Sequence, residues 1–212
     1  MRMFTALCSA LCLLAGVDAF AAGKDLSTHA ERTAFSETGR YEEVQRLCRE
    51  FAASHPKQVR CFSFGKSAEG REMMVLAANM QGVLTPEAAL AAKLPVTLIQ
   101  GGIHAGEIDG KDAGFLVLRE LLENPGKDNP LNRQVLLFVP VFNVDGHERF
   151  KAFNRPNQRG PKEMGWRTTA QNFNLNRDYA KVDSPEMAAM LAMINAWDPL
   201  FYIDLHVTDG AK

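Results

Sequence analysis

Apolar residues recur along this chain with two periods, and the changes of period mark the elements. At residues 40–53, Tyr41, Val44, Leu47, Cys48 and Phe51 fall three or four apart, the spacing of one helix face. Residues 59–64 and 72–78 are short runs with strand character. Gly65-Lys-Ser-Ala-Glu-Gly70 between them has the small residues a turn needs, so the pair predicts a hairpin. Residues 81–93 are alanine-rich and read as a short helix or an elaborated loop. The β-branched run 95–100 predicts a strand, and Gly101-Gly102 a turn. A helix over 107–123 follows, with Ile108, Phe115, Leu116, Leu118, Leu121 and Leu122 apolar; Asn124-Pro125-Gly126 stops it.

Residues 134–142 predict another buried strand, ended by Asn143-Val-Asp-Gly146. The polar stretch 147–172 has few periodic apolar positions, and loops of that length in compact domains usually carry function. Ser184 caps a helix with Pro185 at its first position, running to about residue 197, and 200–205 is the last strand. Strands alternating with helices imply an α/β layer structure, a mixed and largely parallel central sheet flanked by helices. Ligands gather beyond the carboxyl ends of such strands. His104, Asn143 and His206 all fall at or just after those ends. There is no internal repeat and no low-complexity tract.

The first residues read differently. Arg2 gives a positive start, residues 4–17 are mostly apolar, and Ala19-Phe20-Ala21 is an A-x-A cleavage site. The run is short for a membrane span, which needs about 20 apolar residues. Residues 1–21 are therefore expected to be a signal peptide and the mature protein to be exported, periplasmic or secreted. Residues 22–39 form a polar lead-in without periodicity, and 40–212 hold the folded domain. With 24 basic and 25 acidic residues, the net charge is −1. That leaves no basic face for nucleic acid and no polybasic patch for a membrane. Of four cysteines, Cys8 and Cys12 leave with the signal. Cys48 and Cys61 remain, either as a helix-to-strand disulfide in an oxidising compartment or as two buried thiols.

The chemistry centres on three positions. His104 and Glu107 lie on the turn between a strand and a helix, and His206 ends the last strand. An isolated H-x-x-E pair is weak, because Glu107 could cap the helix and His104 could be a surface residue. With His206 the set becomes two imidazoles and a carboxylate, the ligand set of a catalytic zinc that keeps a position for water. His29, His55 and His147 read as ordinary positions. Asn176-Arg177 offers an arginine fork and an amide, which together can clamp a carboxylate. An ordinary surface pair of Arg177 with Asp178 or Asp183 is the plain alternative.

These motifs resemble the M14 family of zinc metallocarboxypeptidases over about residues 40–212. Gly-Gly-Ile-His104-Ala-Gly-Glu107 is similar to its first metal motif, and Asp204-Leu-His206 to the strand end that bears the third ligand. Asn143-Val-Asp-Gly146 resembles its Asn-Pro-Asp-Gly segment, with Val144 in place of proline. Leu175-Asn176-Arg177-Asp178 resembles its carboxylate-binding motif, and Phe64 to Arg71 its opening hairpin. The resemblance implies one Zn2+ per chain, held by His104, Glu107 and His206. It implies removal of C-terminal residues from peptides by metal-activated water, with Asn176 and Arg177 on the terminal carboxylate. It also implies an oxyanion-stabilising arginine, which falls on Arg167, with Arg155 in reserve. An aspartate that commonly orients the first histidine is here Asn174.

The same resemblance implies a general-base glutamate and a substrate-capping tyrosine on a later strand, past Lys212. The chain is thus expected to be the N-terminal part of the catalytic domain, incomplete at the C-terminus. In isolation it is expected to be poorly stable and nearly inactive. The rival readings are an N-acyl amino acid amidohydrolase on the same scaffold, which would also take a substrate with a free carboxylate, and a non-catalytic zinc- or peptide-binding fragment or remnant.

Overall fold

A computed structural model of the protein describes residues 25–156 and 158–207. The expected signal segment lies outside them. Strands β1 (Val59–Lys66) and β2 (Glu72–Ala78) form the expected antiparallel hairpin. β4 (Val135–Val139) runs antiparallel to β2, and β3 (Val96–Gly101) runs parallel both to β4 and to β5 (Phe201–Leu205). The order across the sheet is β1-β2-β4-β3-β5. The sheet is therefore mixed, and its parallel half is the half that carries the candidate site. β5 lies at the outer edge, where Phe201, Tyr202 and Ile203 are exposed.

The helices are α1 (His29–Arg32), α2 (Tyr41–Ser54), α3 (Pro86–Ala92), α4 (Asp109–Glu123), α5 (Val144–Glu148) and α6 (Pro185–Trp197). β4 shows why both faces of the sheet are covered. All five of its residues are buried. Leu136 and Phe138 join the core under α2 and α4, with Phe51 and Phe115; Val135, Leu137 and Val139 join the core under α6, with Met187, Met190 and Trp197. A continuous apolar run, without polar alternation, is what a strand buried on both faces needs. Each large side chain so buried contributes roughly 1.5–3 kcal/mol. Among the described residues no helix is long and apolar enough to cross a membrane.

Cys48 and Cys61 are joined, with Cα atoms 5.4 Å apart, tying α2 to β1. Closing so short a loop stabilises the fold by about 3 kcal/mol in the chain-entropy account. From residue 25 on, the lead-in is more ordered than its sequence suggests. A single helical turn has no periodicity to read, but Thr28 and Glu31 form a capping box at the start of α1. The segment is then fastened to α4: Arg119 pairs with Glu31, Thr38 Oγ1 donates to Asp112 Oδ2 at 2.6 Å, and buried Lys111 donates to the Gly39 carbonyl at 2.7 Å.

Candidate metal centre

The three parallel strands β4, β3 and β5 end on the same side, and the site is built there. After β3 the chain turns at Gly102, whose φ of +63° is the left-handed region that glycine enters without strain. His104 and Glu107 then close a tight turn, the Glu107 N–H donating to the His104 carbonyl at 2.8 Å. This is why α4 begins at Asp109 and not at Glu107 as the periodicity predicts. His206 follows directly on β5.

The three side chains meet. Their candidate ligand atoms all lie within 4.8 Å of one another. Glu107 Oε1 is 3.0 Å from His104 Nδ1, and Glu107 Oε2 is 2.8 Å from His206 Nδ1. The outer nitrogens are also engaged. His104 Nε2 faces Asn174 Oδ1 at 3.2 Å, and His206 Nε2 faces Asp204 Oδ2 at 2.9 Å. Asn174 Oδ1 already accepts the Asn176 N–H at 3.1 Å, which fixes the amide as an acceptor toward His104. Each imidazole thus has an acceptor at both ring nitrogens, and on His206 both are carboxylate oxygens. A neutral ring has one proton for those two contacts. Only a second proton on each ring or a cation between the three groups satisfies that geometry. Two nitrogens and a carboxylate oxygen are a zinc donor set, and the chemistry of the site fits the metal.

Two arginines add charge. Arg155, buried, reaches Glu107 Oε1 at 2.8 Å, and the more exposed Arg167 approaches the same oxygen at 3.4 Å. Burial pushes the Glu107 carboxyl up, but hydrogen bonds with His104 and His206 and the Arg155 charge outweigh it and hold it at about 2. Gly106 makes room for Arg155: a Cβ there would meet Arg155 Cγ at 2.6 Å and the Gly165 carbonyl at 2.8 Å. Asn143 holds the backbone of Arg167, donating to its carbonyl at 3.0 Å while accepting the Gly146 N–H at 3.0 Å.

Leu175–Arg177 is a single 3-10 turn. Through Asn174 it is contiguous with His104, so the candidate clamp sits next to the candidate ligands. Arg177 is exposed, and its guanidinium donates at 2.8 Å to the Asn176 carbonyl. No pairing of Arg177 with Asp178 or Asp183 forms; Asp178 instead accepts from Ser184 Oγ at 2.7 Å and from the Asp183 and Ser184 amides.

Sequence reasoning missed a second buried cluster behind the site. Asp145 accepts from Ser67 Oγ at 2.7 Å, the Glu69 N–H at 2.9 Å and Arg71 at 2.6 Å, locking the opening hairpin to α5. His147, read as part of a charged run, is fully buried; burial pushes it down to about 4, although Glu148 beside it pulls the other way. The only signal was the aspartate of the Asn-Val-Asp-Gly segment and the arginine at the end of the hairpin turn, far apart in sequence.

An α/β sheet with two histidines and a glutamate converging beyond its parallel strands defines a metallohydrolase-like site. The chain matches the zinc carboxypeptidase profile of the M14 peptidases over residues 44–211, and it belongs to that family. It is 29% identical to human carboxypeptidase Z over 156 residues, 68% of this chain and 22% of that protein. It is 25% identical to mouse carboxypeptidase D over 179 residues, 78% of this chain and 12% of that protein. The chain thus spans about a fifth and about an eighth of the length of these two relatives. The crystal structure of carboxypeptidase A from Helicoverpa armigera superposes with a TM-score of 0.63 at 22% identity, covering 80% of this chain and 46% of that one. A metallo-carboxypeptidase from Burkholderia cenocepacia gives a TM-score of 0.55 at 24% identity over 77% and 41%. These structural likenesses establish the shared fold.

Proposed function

We propose that the protein is an exported, zinc-dependent metallocarboxypeptidase that removes C-terminal residues from peptides. The observation that carries this reading is the convergence of His104, Glu107 and His206 beside the Asn176-Arg177 turn. His104 and His206 would hold one zinc through Nδ1, and Glu107 through its carboxylate. A zinc ion bound there supplies a water acidified to a pKa of about 7. The Arg177 fork, with the Asn176 amide, grips the terminal carboxylate of the substrate and sets the scissile bond at the metal ligands. Arg167 lies at the rim and is held only loosely, so its guanidinium is free to meet the carbonyl oxygen as charge develops on it. Arg155 is buried against Glu107 and serves as a fixed counter-charge. The Cys48–Cys61 bond supports export, since disulfides persist in oxidising compartments.

A panel of substrates tests this on the full-length natural protein loaded with zinc. Peptides with a free C-terminus should be cleaved, and the same peptides amidated at the C-terminus should not. Arg177→Ala should raise KM about 10–100-fold, the scale of a lost charge-assisted pair. N-acyl amino acids also carry the carboxylate that the clamp binds. Faster turnover of those than of peptides would move the assignment to an amidohydrolase on this scaffold.

A further inference from the structure

The three metal-ligand candidates are not held alike. His104 is buried and wedged in its turn, and its outer nitrogen meets a neutral amide, Asn174. The His206 side chain is 35% exposed, on the first residue after an edge strand, and its outer nitrogen meets a carboxylate, Asp204, at 2.9 Å. Asp204 is paired opposite Gln100 of β3, so sheet hydrogen bonding fixes its backbone. Its other oxygen, Oδ1, is buried and has no hydrogen-bond partner. Among the described residues, His206 therefore receives the whole hydrogen-bonding capacity that this carboxylate uses. Charge points the same way. Two guanidinium groups lie on Glu107 and draw electron density from that ligand, and a carboxylate behind His206 returns negative charge to the centre.

We propose that Asp204 is the positioning residue of this centre: it fixes the Nε2–H form of His206, turns Nδ1 toward the metal and makes that nitrogen the stronger donor, while His104 works with a neutral amide. A partner of this kind raises ligand basicity and restricts ring rotation, and losing one typically lowers metal affinity 10–100-fold. The assignment rests on the zinc reading of the site.

Zinc affinity of the purified intact protein, measured by competition with a chromophoric chelator, tests it. Wild type should take up one zinc. Asp204→Asn should bind it about tenfold or more weakly, with the metal-free unfolding midpoint unchanged. Adding Asn174→Asp to that variant places a carboxylate behind His104 and should recover much of the lost affinity, which a merely structural role for Asp204 would not permit. An Asp204→Asn protein within twofold of wild type overturns the assignment. Nitrogen-15 NMR of zinc-loaded wild type gives a readout that needs no variant. His206 should be protonated on Nε2 with a hydrogen-bonded proton, and an unbonded, freely exchanging proton overturns the assignment. Failure of the zinc reading itself looks different: wild type and His206→Ala would then bind zinc equally poorly.

Discussion

Two polar clusters, each centred on a carboxylate, lie on either side of the Gly165 backbone, where an added Cβ would meet the His147 Cα at 2.6 Å and the Ala105 carbonyl at 2.8 Å. On one side Glu107 faces two imidazoles, each with an acceptor at both ring nitrogens, so the neutral rings are short of protons for their contacts. On the other, Asp145 is surrounded by donors, from a hydroxyl, a backbone amide and a guanidinium. Each cluster is centred on a carboxylate, but only the first is short of protons for the contacts it makes. Convergent acceptors call for a cation, whereas a carboxylate saturated with donors is a structural lock. Residue type alone does not make a metal site; the direction in which the lone pairs are left pointing does.

The largest effect should come from the open cluster. Glu107→Ala removes the group that bridges both histidines and leaves Arg155 buried without its partner. Zinc content by mass spectrometry should fall from one per chain to near zero, and hydrolysis should vanish with it. Retention of stoichiometric zinc would erase the distinction between the two clusters.

Asp145→Ala should do the reverse. It orphans Ser67, the Glu69 amide and part of Arg71, so denaturant unfolding should show a loss of about 2–4 kcal/mol. Zinc stoichiometry should stay at one per folded chain. A stability equal to wild type would mean that the hairpin is not locked through this carboxylate.

His147 sharpens the comparison through pH. Burial holds it at about 4, below its ordinary 6.5. The unfolded chain therefore takes up the proton first as the pH falls. The contribution of His147 is fully present above pH 6.5 and is lost progressively down to about 4, a swing of roughly 3 kcal/mol for a fully buried group. Glu148, held at about 2, loses its own contribution only at lower pH, below 4.5. His147→Phe keeps an aromatic ring against Tyr41 and Phe150 and removes a buried ring nitrogen that has no partner. Near pH 7 its unfolding free energy should match wild type, and the decline between 6.5 and 4 should flatten. An acid limb as steep as wild type would assign that decline to other groups.

The open cluster was legible in the sequence because its ligands are sequence-local or sit at strand ends. A Gly-Gly turn marks His104 and Glu107, and an apolar run with one aspartate marks His206. The closed cluster was not legible, since Ser67, Arg71 and Asp145 are joined only when the hairpin packs on α5. Burial of His147 is likewise a packing outcome, and its His-Glu-Arg neighbours mimic a surface run. The start of α4 moved by two residues because a tight turn, invisible to periodicity, precedes it. The lead-in hid its order in one ion pair and two hydrogen bonds with α4, which share no pattern along the chain.

The smallest effect tests how Arg155 reaches the open cluster. Gly106 lies under its side chain, and a Cβ there would sit 2.6 Å from Arg155 Cγ and 3.0 Å from Cδ, as well as 2.8 Å from the Gly165 carbonyl. The arginine's methylenes can move aside and the carbonyl cannot move as easily. Gly106→Ala should therefore cost about 1–2 kcal/mol, the low range for overpacking. Only the part due to Arg155 should disappear when that side chain is cut back. In a double-mutant cycle, Gly106→Ala should cost less in an Arg155→Ala background, with a coupling of about 1 kcal/mol. Strict additivity would show that Gly106 is needed only for the Gly165 backbone and that Arg155 enters the site by another route.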